Sequence, residues 1–201
     1  AMFRRVLEFP LRNILPTSSL AQKLTTEEME ALIEETSDKI IVELTKEAEK
    51  ISIEDSTMYA TDWINGRRTP DANQLLKGTI AGFTLGTTAP QIYRALVEAT
   101  AFGTKDMADR FISEGCPIEQ VIGIGGIALK SPFVMQTMCD VLNLPIKVCN
   151  TDQACALGAA MFAATAAGVY SKVEDAIAAM NSGFAKTYMP NAENSKKYAA
   201  L

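Results

Sequence analysis

The chain contains no histidine among its 201 residues, and this absence excludes several kinds of chemistry. Without an imidazole the chain cannot form a Ser-His-Asp triad, an imidazole acid-base pair or a zinc site with histidine ligands. Any general base must therefore be a carboxylate or must come from outside the chain.

Cysteine is scarce as well. The chain has four cysteines, which form neither a Cys-x-x-Cys pair nor a regular spacing. Cys116, Cys139, Cys149 and Cys155 lie in apolar segments with helix or strand patterns, which is typical of free, buried thiols in a cytoplasmic protein. We therefore expect four buried thiols and no metal site.

Long apolar runs and basic clusters are also missing. The longest apolar stretch, residues 154–169, is too short to cross a bilayer and consists mostly of alanine and glycine. The net charge is -5 and the largest basic cluster is Arg67-Arg68, whereas binding to nucleic acid requires clustered positive charge. We therefore expect a cytoplasmic protein with no membrane partner and no nucleic-acid partner.

The residues that are present predict a folded domain of helices and strands. Helical spacing begins at residues 3–11, and Thr25 and Glu28 match a capping box that opens one long or two shorter helices. Further patterns predict strands at 59–64, 78–85, 121–124 and 146–149 and helices at 89–114, 132–142, 153–167 and 172–180. Strands and helices that alternate in this way imply parallel strands with right-handed crossovers, so the fold class is α/β.

The most informative segment is the turn that follows the third predicted strand. This strand ends in Gly125 and Gly126, which allow positive φ and let another molecule approach the backbone, and Ser131 with Pro132 makes a good helix start. Such a turn at the carboxyl end of a parallel strand is the usual nucleotide position in an open α/β sheet, although a tight connection without ligand explains the spacing equally well. The segment matches neither a P-loop nor a dinucleotide-binding fingerprint.

Four motifs, taken in order, resemble those of the C-terminal domain of the FGGY carbohydrate kinases. The segment from Asp62 to Gln74 resembles the family's Gly-x-Arg-x-Pro loop, in the version found in kinases of L-ribulose, and residues 125–130 resemble its adenosine motif. Residues 152–160 are similar to its closing motif. The second signature is traced through Gly78, Gly82, Gln91, Ala95 and Glu98, with conservative departures at Phe83 and Leu96.

The resemblance implies an actin-like, ribonuclease H-like fold and transfer of the ATP γ-phosphate, with Mg2+, to L-ribulose in L-arabinose breakdown. It implies that the nucleotide contacts Gly125, Gly126, Ile127, Ala128, Lys130 and Ser131. The cleft candidates that it implies are Asn65, Gly66, Arg67 and Arg68, where the arginines either face phosphate or form salt bridges within the loop. It also divides the chain into a helical segment from the interdomain region, residues 1–56, and a nucleotide-binding domain, residues 57–201.

Several parts of the family's kinase have no match in the chain. The catalytic Asp and the two Gly-Thr phosphate loops belong to the family's N-terminal part, so we expect the chain alone to be inactive and to contain no catalytic residue. The first two strands of the family's five-stranded sheet are missing as well. An incomplete sheet exposes unpaired backbone, so we expect the strand near Ile80 to be displaced or a second copy of the chain to form a homodimer.

Three other interpretations remain open at this stage. A non-enzymatic actin-like ATP-binding module would share the glycine turn. Such a module would have no need of the loop at 65–74, however, so the loop argues against this interpretation. A dinucleotide-dependent oxidoreductase is disfavoured because a third glycine and an acidic residue after the next strand are both absent. The third alternative is another FGGY sugar kinase, for example a xylulokinase-like enzyme.

Overall fold

The computed structural model describes residues 2–201, which form two compact units. The first unit comprises the chain up to Ala60 together with Ile80–Leu96, and the second comprises Thr61–Thr79 together with Val97–Leu201. Among the described residues, no helix combines the length and hydropathy that crossing a membrane requires. The functional division after residue 56 stays a prediction.

The first unit is mainly helical. It contains helices α1 (Met2–Asn13) and α2 (Thr26–Glu49), strands β1 (Tyr59–Ala60) and β2 (Ile80–Ala81), and the beginning of helix α3 (Ala89–Ser113). The predicted capping box is confirmed, because the Thr25 hydroxyl accepts from the Glu28 backbone N–H at 3.2 Å and the Glu28 carboxylate accepts from the Thr25 N–H at 2.8 Å. One long helix follows, so the capped run is not split in two.

The two strands of the first unit are much shorter than predicted. They form an antiparallel pair of two residues each, with Tyr59 opposite Ala81. The pairing stops at Gly82, whose φ is +86° and where an added Cβ would lie 2.2 Å from the carbonyl oxygen of Thr57. Beyond it, the Thr87 hydroxyl accepts from the Thr84 N–H at 2.8 Å, and this local turn replaces the ladder.

The second unit contains the rest of the chain, built around one sheet. After the end of α3 its elements are β3 (Val121–Gly123), α4 (Gly126–Lys130), α5 (Pro132–Leu142), β4 (Ile146–Cys149), α6 (Ala154–Ala166), α7 (Val173–Met180), β5 (Phe184–Tyr188) and α8 (Ala192–Ala199). The strand order is β3-β4-β5. Strands β3 and β4 are parallel, as predicted, whereas β5 pairs antiparallel with β4 and was missed, together with α4 and α8.

The core of the second unit lies on one face of this sheet. Ile146 and Val148 of β4 are fully buried there and pack with Met135, Cys139 and Leu142 of α5; Ala108, Ala128 and Tyr188 complete the cluster. Burying an aliphatic side chain of this size stabilises a fold by roughly 1.5–3 kcal/mol. The strand-helix-strand unit from β3 to β4 is therefore held by its own apolar contacts.

The cysteines only partly follow the sequence-based expectation. All four are free thiols, and Cys139 is fully buried, but Cys149 is half-buried and both Cys116 and Cys155 are exposed. The prediction of burial was wrong for the exposed pair because Cys116 follows the end of α3 and Cys155 lies in the first turn of α6.

Candidate nucleotide site

The glycine turn forms the sharp bend that the sequence predicts. Gly125 has φ +87° and is the residue that caps α4, so a side chain at this position would strain the backbone. A Cβ added at Gly125 or at Gly126 would meet no protein atom within 4 Å. The bend is therefore open at these two positions, and no neighbouring protein atom lies against the backbone there.

The residues after the bend differ in what they expose. Ile127 is 68% exposed and offers an apolar surface, whereas Ala128 is buried and its methyl packs in the core of the second unit. Ala128 can therefore reach a ligand only through its backbone. Gly123, two residues before Gly125, faces the protein interior instead, since an added Cβ would lie 2.9 Å from the Met135 methyl carbon.

Lys130 and Ser131 both carry polar groups that are free for a ligand. Lys130 is exposed, and its ammonium forms no ion pair with any other described residue. Ser131 sits between α4 and α5, ahead of Pro132, but its hydroxyl forms no capping hydrogen bond. The predicted helix start is correct in position, and the serine side chain remains available.

The loop at 65–74 is held closed by backbone contacts. The N–H of Arg67 donates to the Asn73 carbonyl at 2.9 Å, and the N–H of Asn73 donates back at 3.0 Å. Gly66 has φ +89° and is buried where an added Cβ would lie 2.7 Å from the Cα of Gln74. Only glycine fits this position without strain, so the loop has one defined shape.

The two arginines of the loop have different environments. The Arg67 guanidinium lies 5.4 Å from the ring centre of Trp63 and donates to Asp71 at 3.0 Å and to Asp106 of α3 at 3.2 Å. Arg68 is exposed and makes no hydrogen bond or ion pair within residues 2–201. Of the two predicted roles, Arg67 therefore has the structural one, and Arg68 is the guanidinium that is free for an anion.

Residues of the second signature support the fold. The Gln91 side chain accepts from the Thr88 N–H at 2.8 Å at the beginning of α3. Glu98 is buried, and its carboxylate accepts from the Tyr198 hydroxyl at 3.1 Å. Sequence reasoning missed Gly103, where an added Cβ would overlap the Asp62 carboxylate, and Asp106, because neither contact has a local sequence signal.

The described residues do not form a metal site of their own. No group of three or more Cys, Asp or Glu side chains comes close enough together to hold an ion, within the part of the chain that the structure describes.

Comparison with known proteins gives a consistent match. A family model described as "FGGY family of carbohydrate kinases, C-terminal domain" matches residues 14–167. A ribulokinase of Vibrio parahaemolyticus is 45% identical over 190 residues, which are 94% of this chain and 32% of that protein. The chain thus spans about a third of the length of this curated relative.

Solved structures show the same fold. A xylulose kinase from Rhodospirillum rubrum superposes with a TM-score of 0.68 at 20% identity, covering 99% of this chain and 35% of its own. A Plasmodium falciparum glycerol kinase with ADP superposes with a TM-score of 0.62 at 24% identity. The match covers 79% of this chain and 32% of that kinase. The predicted α/β class, with the actin-like fold of sugar kinases, is confirmed. With its glycine bend, its closed loop and the match over residues 14–167, the chain belongs to the FGGY family of carbohydrate kinases, of which it carries the C-terminal domain.

Proposed function

We propose that the chain is the nucleotide-binding part of an ATP-dependent carbohydrate kinase that phosphorylates L-ribulose to L-ribulose 5-phosphate. The observation that carries this proposal is the open bend at Gly125 and Gly126. Adenine and ribose approach the bare backbone there and lie against Ile127, while the free Ser131 hydroxyl and the Lys130 ammonium supply polar contacts.

L-Ribulose is the acceptor that the comparisons favour. The match at 45% identity is to a protein named ribulokinase, whereas the xylulose kinase is only 20% identical and supports the fold alone. The closed loop around Gly66 is the part of this chain that resembles the ribulose-specific version. Xylulose therefore remains the second candidate for the acceptor.

Phosphoryl transfer depends mainly on positioning and on neutralising charge, and this chain contributes to both. Its backbone bend orients the nucleotide, and Arg68 offers a guanidinium that can bind phosphate oxygens in a bidentate manner. Mg2+ would supply further neutralisation when bound with the nucleotide phosphates. The proton of the sugar hydroxyl goes to a carboxylate outside this chain.

The nucleotide site is tested by adding a methyl group to the bend. Gly126→Ala places a Cβ in space that is empty of protein atoms, so we expect an unchanged fold but ATP binding weakened at least about tenfold by contact with the ligand. Isothermal calorimetry with ATP, ADP and NAD provides the measurement. We expect a response to ATP and ADP but none to NAD.

The matched control is Gly86→Ala, an exposed glycine of the first unit where an added Cβ meets nothing closer than 3.9 Å. ATP affinity should not change in this variant. Binding of NAD alone, or equal ATP affinity of Gly126→Ala and the unmodified chain, would show that the bend is not the nucleotide seat.

A further inference from the structure

Helix α6 (Ala154–Ala166) is apolar on every side. None of its 13 residues is charged, and the hydroxyl of Thr165 donates to the Met161 carbonyl at 3.0 Å within the helix. Other helices of the chain carry charges on their exposed side, as α2 does with the ion pair of Lys46 and Glu43. A helix that is apolar all round belongs in the interior of a protein.

One side of α6 is nevertheless exposed. Met161 is buried and Leu157 is half-buried, and the helix packs against α7. At about 100° per residue, the exposed positions of α6 fall within one arc of roughly 160°. We call this surface the α6 face; it contains Cys155, Ala156, Ala159, Ala160, Phe162 and Ala163.

The size of the α6 face limits what kind of partner can cover it. A helix of 13 residues is about 20 Å long and about 10 Å wide, so one face offers on the order of 200 Å². A stable contact between separate proteins buries roughly 800 Å² on each partner. The α6 face by itself is therefore too small to hold a second copy of this chain. A segment of the same polypeptide needs no such area, because the covalent link keeps its local concentration high.

The chemistry of the α6 face narrows the partner further. The backbone groups of α6 bond within the helix, so the face offers only side chains and cannot extend a sheet. It contains no lysine or arginine, which a helix needs in order to lie on an anionic membrane surface. Small alanine side chains allow another helix to come close, and Phe162 provides an apolar ridge. The partner that fits is an uncharged, apolar helix.

We propose that the α6 face packs against an apolar helix in the part of the kinase that lies outside this chain. The chain spans 32% of the Vibrio parahaemolyticus ribulokinase and 35% of the Rhodospirillum rubrum xylulose kinase, so most of each relative lies beyond the matched region. The partner helix belongs to that remaining part and is covalently linked to this chain. Helix α6 then lies in the interior of the longer kinase, as its composition requires. The inference rests on membership of the family and is independent of the nucleotide site.

The first test compares the reactivity of Cys155 in the isolated chain and in a full-length hybrid. In the hybrid, this chain replaces the matching third of the Vibrio parahaemolyticus ribulokinase, which is 45% identical to it. Cys155 is exposed in the isolated chain and should react quickly with a neutral alkylating reagent. In the folded hybrid we expect its reaction to be at least about tenfold slower, because the partner helix covers the thiol. Denaturant should restore the quick reaction.

A lysine in the α6 face gives the second test. Phe162 is 67% exposed in the isolated chain, so Phe162→Lys should leave the Tm of that chain unchanged. In the hybrid the same change buries an unpaired ammonium, and we expect the Tm to fall by at least about 3 °C and kinase activity to be lost. The matched control, Phe162→Leu, keeps the face apolar and should be tolerated in both proteins. A lysine at the aligned position of the Vibrio parahaemolyticus ribulokinase repeats the test without the hybrid.

Three results would overturn the proposal. The first is an equal rate of Cys155 alkylation in the isolated chain and in the folded hybrid. The second is a lysine variant of the hybrid or of the Vibrio parahaemolyticus enzyme that is as stable and active as the unmodified protein. The third is protection of Cys155 in the isolated chain that rises with protein concentration, which would assign the α6 face to a second copy.

Discussion

At the scale of single residues, burial and hydrogen bonding divide chemically identical side chains into different roles. Arg67 lies between Trp63 and two carboxylates, while its neighbour Arg68 is free. Cys139 shows the same effect among the thiols. Burial first, and then the charge of Asp140, raises the pKa of Cys139 to about 11 from an ordinary value of 9.0.

The direction of this shift fixes its effect on stability. Above pH 9 the unfolded chain begins to lose the Cys139 proton while the folded chain keeps it, so the unfolded state binds fewer protons. The stability that the buried neutral thiol contributes is fully present below pH 9. It is lost as the pH rises toward 11. The thiolate is also the reactive form of cysteine, so the folded chain holds Cys139 in its inert form.

We predict that a neutral alkylating reagent at pH 8 modifies Cys116 and Cys155 quickly and leaves Cys139 unmodified. The first two thiols are exposed, whereas Cys139 is fully buried and its Sγ donates to the Leu144 carbonyl at 3.1 Å. Peptide mass spectrometry after a timed reaction gives the rates. Addition of denaturant is the control, since it should make all sites react alike; rapid native modification of Cys139 would contradict the burial.

At the scale of elements, a few side chains fasten one element to another. In the first unit the buried Arg94 guanidinium donates to the carbonyls of Ala48 and Ile51 at 3.1 and 2.7 Å. These hydrogen bonds supply donors for carbonyl groups at the end of α2 that have no partner within the helix. In the second unit Asp140 of α5 and Arg67 of the loop have comparable roles. Each of these contacts joins segments that are far apart in the sequence.

We predict that Asp140→Ala lowers the free energy of unfolding by about 2–3 kcal/mol. The Asp140 carboxylate is 2% exposed and accepts from the Asn191 N–H at 2.8 Å and from the Asn194 side chain at 2.9 Å, at the beginning of α8. Its loss leaves these donors without a charged acceptor. Urea unfolding measures the change. Asp109→Ala removes an exposed carboxylate paired with Lys105 and should cost less than about 0.5 kcal/mol.

Loss of the Arg67 contacts should loosen the loop at 65–74 without unfolding the chain. We expect Arg67→Ala to destabilise by only about 1 kcal/mol, because its two carboxylate partners are more than half exposed and the contact with Trp63 is partly solvated. Trp63 is the one tryptophan in the sequence, so its fluorescence reports on the loop directly. Its emission should shift in Arg67→Ala and should stay constant in Arg68→Ala; an equal shift in both variants would mean that Arg67 does not fix the loop.

At the scale of the whole molecule, nucleotide binding and catalysis are expected to separate. The chain has an open bend at Gly125 and Gly126, our proposed nucleotide site, but spans about a third of the length of its curated relative. A kinase also needs a carboxylate that receives the hydroxyl proton, and we assign that group to no residue described here.

We therefore predict that the isolated chain binds ATP but does not phosphorylate L-ribulose. A coupled assay for ADP release with and without L-ribulose measures this, and calorimetry on the same sample shows whether ATP binds. A full-length ribulokinase serves as the positive control. Sugar-dependent release of ADP by the isolated chain would disprove the prediction.

Local patterns in the sequence predicted several elements correctly. The capping box at Thr25, the helix at Pro132–Leu142 and the strand at Ile146–Cys149 follow from hydrophobic spacing and terminal residues, which act over a few positions. The bend at Gly125 was predictable for the same reason, since positive φ selects glycine. The strands near Tyr59 and Ile80 were overestimated because local hydroxyl contacts and a close approach at Gly82 end the pairing.

The sequence by itself determined the α/β class, the order of the main elements and the position of the glycine bend, because each depends on neighbours along the chain. Only the tertiary structure decided that β5 pairs antiparallel with β4, that Arg67 rather than Arg68 is held by Asp106, and that the bend is open. These features depend on contacts between residues that are distant in the sequence, and no local pattern records them.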